Sequence, residues 1–328
     1  MKTNTKGIIA ALSSALFLGL APVFGRQAIL LGLAPLAVVA IRTALAALMM
    51  LAVIALFYRP FLFIYPAGLL GCLIAGWING FGSLFYYSAL GRINAGLGQL
   101  LYALYPLFLV LWLALDQQRP SRLTLFRLAL AIPAIVLLLQ VRPEVKIDPI
   151  GVVEMLIASA LYALHLPFNQ RVLYDMPAPT VTLYTLLAMS AVTVPVFLFS
   201  GVLAVDAADT GQMAAAAAGA IQRGWFPVLG LSLVTFFSRI MLFLGVKHLG
   251  GMQTALLGLG ELLVTVVFAY LVLGEQFSAV QWAGAALLGV SLALVGFEKN
   301  PPRARGAGGF LSWMGSSRLT SEGWQPHD

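Results

Sequence analysis

Ten apolar runs, each close to the length that crosses a bilayer and parted by short breaks, leave this chain few ways to fold. They fall at 7–31, 35–57, 64–90, 93–115, 123–141, 150–173, 178–201, 225–246, 252–273 and 280–297. A spanning helix needs about 20 mostly apolar residues. The breaks carry turn and helix-stopping residues: Gly32-Leu33-Ala34-Pro35, Arg59-Pro60, Gln118-Arg119-Pro120 and Pro177-Ala178-Pro179. The runs are continuously apolar rather than alternating, which excludes a membrane β-barrel. With 61% hydrophobic and 9% charged residues, the chain lacks the charge to cover a water-facing globule. A soluble enzyme is thereby excluded. A disulfide-built scaffold is excluded too, because Cys72 is the one cysteine. The net charge of +7 is scattered through short loops, without the dense basic stripe that neutralises phosphates, so no nucleic-acid partner is expected.

The basic residues orient the spans. With the amino terminus in the cytoplasm, twelve of the Lys and Arg residues fall inside, among them Arg119, Arg127 and Arg171. Four fall outside (Arg92, Arg142, Lys146, Arg223), and Arg26, Arg42 and Arg239 stay within spans. The excess inside places both termini in the cytoplasm. Residues 1–24 resemble a secretory leader, but the run is long and lacks a small-residue cleavage site, so they are read as an uncleaved first span. Residues 202–224, including Ala214–Ala218, are expected to form an external loop with a short helix. The segment after Phe297 is rich in Pro, Gly, Ser and charge, and is expected to be a disordered cytoplasmic tail.

The two halves share wording. Ser14-Ala15-Leu16 reads like Ser159-Ala160-Leu161, an offset of 145 at which Pro22 also meets Pro167 and Arg26 meets Arg171. Ala34-Pro35 matches Ala178-Pro179 at 144, and Arg92 meets Lys247 and Pro106 meets Glu261 at 155. Five spans per half is an odd number, so the second copy enters the membrane from the opposite side. The expected architecture is ten transmembrane helices as two inverted five-helix repeats, residues 1–143 and 144–299, followed by the tail 300–328. Such repeats place a transporter's substrate site near the midplane between halves. Glycines such as Gly76 and Gly80 allow close helix approach in lipid.

The stretch Gln99-Leu-Leu-Tyr-Ala-Leu-Tyr-Pro106 resembles the fourth-helix motif of EamA-type members of the drug/metabolite transporter superfamily. So do Gly258-Leu-Gly-Glu261-Leu-Leu-Val, Leu273-Gly-Glu275 and Gln281-Trp282-Ala-Gly284-Ala in the last two helices, and Arg42 in the second. The resemblance covers residues 7–297 and implies a ten-helix carrier that moves small metabolites by alternating access. Two positions depart from the family pattern. Leu262 replaces the proline that follows the glutamate, which puts the bend of the ninth helix in question. Asp116-Gln117-Gln118 replaces a Gly-Glu turn and is expected to affect only a surface loop.

No phosphate-binding Gly-Lys-Ser/Thr loop, nucleophile triad or metal-ligand spacing occurs, so no enzyme, cofactor or metal is expected. Ionisable side chains deep in lipid are costly and therefore become the site candidates. Glu261 is read as an ammonium or proton site or a structural hydrogen-bond partner of helix backbones, and Arg239 as a carboxylate clamp, a side chain reaching for the interface or a partner of Glu261. His165 is read as a proton relay or a neutral packing group, and Arg42 and Arg26 as side chains reaching for the interface. Trp77, Asn79, Tyr102 and Tyr162 fall near midspan. Gln99, Tyr102 and Pro106 share a helix face that is expected to line a cavity. The substrate-binding set is therefore Trp77, Asn79, Gln99, Tyr102, Tyr162, His165, Arg239 and Glu261. A small-molecule substrate, the lipid bilayer and possible proton coupling complete the reading. The resemblance implies a bacterial inner membrane, and an exporter of an amino acid or analogue is the first expectation. A sugar-phosphate, nucleotide-sugar or hydrophobic-drug carrier is the alternative within the superfamily, and a membrane-embedded enzyme or passive channel the alternative outside it.

Overall fold

The structure, a computed structural model, describes residues 2–90, 92–93, 98, 101–116, 120–139, 148–203, 210–264, 267 and 278–297. Ten α-helices and two 3-10 turns make up these residues, and no strand occurs among them. The helices are α1 Lys2–Leu30, α2 Pro35–Phe57, α3 Pro66–Leu90, α4 Tyr105–Leu115 and α5 Arg122–Leu139, then α6 Pro149–Leu173, α7 Ala178–Leu203, α8 Thr210–Leu249, α9 Gly251–Gly258 and α10 Ala279–Ala293. Five of these contain stretches long and apolar enough to cross a membrane: Pro35–Phe57, Pro66–Ala89, Pro149–Leu173, Ala178–Ser200 and Trp225–Leu249. The remaining apolar stretches described are shorter: Thr5–Ala21, Tyr105–Leu115, Gly251–Val264 and Ala279–Ala293.

Local chemistry sets the helix ends. Pro35 and Pro149 open their helices where no intrahelical N–H is needed. Asp148 caps α6 by accepting from the Ile150 N–H, and Ser278 and Gln281 close a reciprocal capping box on α10. Gly32 and Gly250 follow α1 and α8 at φ values of 97° and 87°, which side chains with a Cβ rarely adopt.

The packing is two-fold in pattern. Helix α1 lies along α8 as α6 lies along α3; α2 meets α8 as α7 meets α3; α4 meets α6 as α9 meets α1. The pairs α2–α7, α4–α9 and α5–α10 join each helix to its own counterpart. Helices α2 and α7 run antiparallel. Thr43, early in α2, bonds Thr193, late in α7, at 2.9 Å, whereas Thr180 and Tyr184, early in α7, donate to Phe61 and Leu62 carbonyls just past α2. Gly76 and Gly80 bring α3 onto α7. A Cβ at Gly76 would lie 2.5 Å from the Ala188 Cβ and 2.6 Å from the Thr185 carbonyl oxygen. Large apolar side chains such as Phe57, Phe199 and Phe226 point outward, as lipid-facing residues do.

The fourth and ninth segments break in register. The Leu107 N–H bonds the Leu104 carbonyl at 2.9 Å, and the Leu262 N–H bonds the Leu259 carbonyl at 3.1 Å, both in tight i to i+3 turns. The two breaks are separated by the 155 residues that relate Pro106 to Glu261. The second bend forms without the missing proline. Exposed backbone in a membrane must find partners elsewhere. The Tyr102 carbonyl accepts from Ser159, and the Ala255 carbonyl accepts from Tyr105 at 2.6 Å.

Three expectations are corrected. Residues 210–224, expected in an external loop with its own short helix, belong to α8, whose 40 residues continue without interruption into the following span. Alanine-rich sequence favours helix strongly enough to extend it. Arg127 and Arg171 are not loop charges. Arg127 is fully buried, donating to the Ser291 carbonyl and the Gln253 side chain, and Arg171 pairs with Asp116 at 2.8 Å. Asp116 is therefore no surface-loop residue: it is fully buried, because the end of α4 packs against α6.

Three outcomes follow from this packing. Gly76→Ala forces α3 off the α7 backbone and costs about 1–3 kcal/mol, the usual range for overpacking. Gly289→Ala meets nothing within 4 Å and leaves the thermal midpoint in detergent unchanged or raised. Arg171→Ala destabilises by about 3–5 kcal/mol by removing the cation paired with a buried carboxylate, and the double variant Arg171→Met/Asp116→Leu recovers most of that loss in the same thermal assay.

Candidate functional site

The two helix breaks bring tyrosines together. Tyr102 stands at the first break and Tyr105 opens α4, while Tyr86 and Tyr87 come from α3 and Tyr162 from α6. Ring centroids lie 4.8 Å apart for Tyr86–Tyr102, 5.4 Å for Tyr102–Tyr162 and 5.0 Å for Tyr105–Tyr162. Spacings of three on one helix place Tyr162 beside His165, at 4.8 Å between rings. The hydroxyl of Tyr105 reaches across to α9 and fits against Gly258, where a Cβ would stand 2.6 Å away. The site is thus an aromatic wall whose position depends on the broken segments.

Charge enters this wall from three sides. Arg239, on α8, is 7% exposed, and the carbonyl oxygen of the Asn79 amide on α3 accepts from both its terminal nitrogens at 3.1 and 3.0 Å. Arg239 acts electrostatically on Tyr162 and Tyr102, and Arg42 acts on Arg239. The Arg42 guanidinium sits 5.1 Å from the centre of the Tyr87 ring, a cation–π contact. Glu261 lies two residues past the second break, and its carboxylate field reaches Tyr86, Tyr102, Tyr105 and Tyr162.

His165 is fully buried. Its Nδ1 meets the Tyr162 carbonyl, so Nδ1 carries the proton and donates in the neutral ring. Its own carbonyl accepts from Asn169, whose side-chain oxygen accepts from Thr185 at 3.1 Å. This chain of bonds fixes α6 against α7.

The structure brings Asn79, Tyr102, Tyr162, His165 and Arg239 together, with Glu261 within electrostatic range. Trp77 does not join them. It is 48% exposed, because two residues along a helix turn it nearly opposite to Asn79. Gln99 lies outside the described residues. Arg42 departs from expectation: its guanidinium turns inward onto Tyr87 rather than reaching for the interface. A nearby aromatic on another helix decides this, and sequence spacing gives no signal of it. Arg239 takes the Asn79 amide as its hydrogen-bond partner, where pairing with Glu261 was the alternative. Among the described residues, no three His, Cys, Asp or Glu side chains converge as metal ligands.

Antiparallel helix pairs, matched helix breaks and apolar helices long enough to cross a bilayer define a multi-pass helical membrane protein. The EamA-like transporter family matches residues 5–140 and 149–297, one match to each half. The chain belongs to that family. A solved structure described as "Crystal structure of protein" superposes with a TM-score of 0.69 at 15% identity, covering 89% of this chain and 96% of that one. No curated protein matches the sequence. The family is one of membrane transporters, and the superposition shows the fold.

The contact between the two broken segments is testable. Gly258→Ala alone drives a methyl into the Tyr105 hydroxyl and lowers the thermal midpoint. Adding Tyr105→Phe to that variant restores part of the loss, whereas Tyr105→Phe alone costs about 1 kcal/mol by freeing the Ala255 carbonyl. Strict additivity of the two changes would show that the contact is not made.

Proposed function

We propose that this protein is an alternating-access exporter of a small amphipathic carboxylate, an amino acid or a close analogue, in a bacterial cytoplasmic membrane. Residues 1–143 and 144–299 act as inverted repeats, ten crossings leave both termini in the cytoplasm, and the substrate binds between the helix breaks. One observation carries the reading: the Arg239 guanidinium, buried in the aromatic site, has a neutral amide for its hydrogen-bond partner. A buried cation is costly unless paired, and a planar guanidinium fits a carboxylate by two parallel bonds. A substrate carboxylate supplies what Asn79 cannot, and Tyr86, Tyr102 and Tyr162 face the substrate's apolar part. Arg42, a second cation at the site, favours organic phosphates as the second reading.

Glu261 is the proposed coupling group. Its place beside a helix break lets its surroundings change as the halves rock, so that it binds a proton on one side and releases it on the other.

Counterflow of labelled amino acids, with carboxylates and sugar phosphates as competitors, tests the reading in liposomes holding the purified protein. Saturable exchange of an amino acid or carboxylate is expected. Exchange confined to organic phosphates would establish the second reading, and flux without saturation or counterflow would indicate a channel. Asn79→Asp gives Arg239 a permanent internal carboxylate, so the variant folds yet loses anion affinity by about tenfold or more. Arg239→Lys retains more affinity than Arg239→Ala, because charge survives while the planar fork is lost. Glu261→Gln folds and still exchanges substrate, but its transport no longer responds to an imposed pH gradient. A wild-type response in that variant removes Glu261 from coupling.

A further inference from the structure

The ring of His165 offers one edge that its own protein does not use. Nδ1 is committed to the Tyr162 carbonyl one turn earlier, which fixes the tautomer and leaves Nε2 as a bare acceptor. Nε2 is buried and has no hydrogen-bond partner. Buried acceptors are nearly always satisfied, so an open one calls for a specific reason. Protonation does not supply it, since no acceptor stands within hydrogen-bond reach of Nε2 to receive a second N–H. The ring lies 4.8 Å from Tyr162, the same tyrosine on which the Arg239 charge acts. The guanidinium donor of Arg239 and a vacant acceptor of the opposite hydrogen-bonding sense therefore border the same tyrosine.

We propose that His165 Nε2 accepts a hydrogen bond from an N–H or O–H group of the substrate next to its carboxylate, so that the carrier selects 2-amino and 2-hydroxy acids over acids lacking that donor. The assignment rests on the reading of Arg239 as the carboxylate site and adds a specificity residue to it. A ligand carrying both groups satisfies guanidinium and imidazole together. One with only the carboxylate leaves Nε2 empty in a dry site, and a site built to bond a substrate hydroxyl or amine rejects the analogue without it.

The test uses three molecules of one shape: phenylalanine, 3-phenyllactate and 3-phenylpropionate. Each competes for counterflow in liposomes holding the full-length protein. In the wild type, phenylalanine and 3-phenyllactate compete about tenfold more strongly than 3-phenylpropionate. This comparison needs no variant, so it stands even where a substitution at a buried position fails to fold. His165→Phe, checked by size-exclusion profile and thermal midpoint, brings the three within about twofold of one another, mainly by weakening the first two. His165→Gln, whose side-chain oxygen can replace Nε2 as acceptor, restores part of the preference. Equal competition by all three in the wild type, or undiminished preference in a folded His165→Phe, overturns the assignment and leaves the carboxylate-carrier reading standing. Competition by none of the three overturns both.

Discussion

A guanidinium held among helices in a membrane has to be satisfied by the protein, by a ligand, or by both. Arg239 is satisfied by both only if something anionic enters. Asn79 fixes its orientation from α3 but does not neutralise it. On the proposed reading, the architecture keeps that group buried and reachable. Helices α3 and α8 occupy corresponding places in the two halves, so the Asn79–Arg239 contact joins the halves across the site. Any rocking of one half on the other acts on this contact directly.

The same demand explains the breaks. A continuous helix would present its side chains and hide its backbone; breaking it at Leu104 and at Leu259 exposes carbonyls and repositions the chain. The protein accepts this because side chains from elsewhere meet the freed groups, Ser159 at the Tyr102 carbonyl and Tyr105 at the Ala255 carbonyl. Close backbone approach elsewhere, as at Gly76 and Gly80 against α7, holds the scaffold without needing a hydrophobic effect between helices. Away from the aromatic site, buried polar links tie α4, α5, α6, α9 and α10: Asp116 with Arg171, Arg127 with Gln253 and Ser291, and Gln170 with the Gly251 N–H. The links of Asp116 and Arg127 couple the halves at a second place.

Much of this was legible in the sequence, because apolar length and breaker residues act locally. The helix starts at Pro35 and Ala178 were readable from the connectors; the paired breaks were not, although they fall at the 155-residue offset that relates Pro106 to Glu261. Depth was legible for Arg239 and Asn79, which lie well inside their segments. Facing was not. Trp77 and Asn79 are equally deep, and only the packing of α3 against α6 and α7 decides which turns inward. Arg127, Arg171 and Asp116 read as loop charges because they stand near segment ends, yet neighbouring helices extend past them and bury them. Arg42 depended on a tyrosine from another helix. Tertiary partners, absent from any local pattern, account for each of these differences.

The central claim is that a substrate carboxylate completes the coordination of Arg239. A structure of the protein in lipid nanodiscs with bound 3-phenyllactate measures this directly. The account predicts carboxylate oxygens about 3 Å from the Arg239 guanidinium nitrogens, with the phenyl ring against Tyr86, Tyr102 or Tyr162. Ligand bound elsewhere, with Arg239 still held by Asn79 alone, would contradict it.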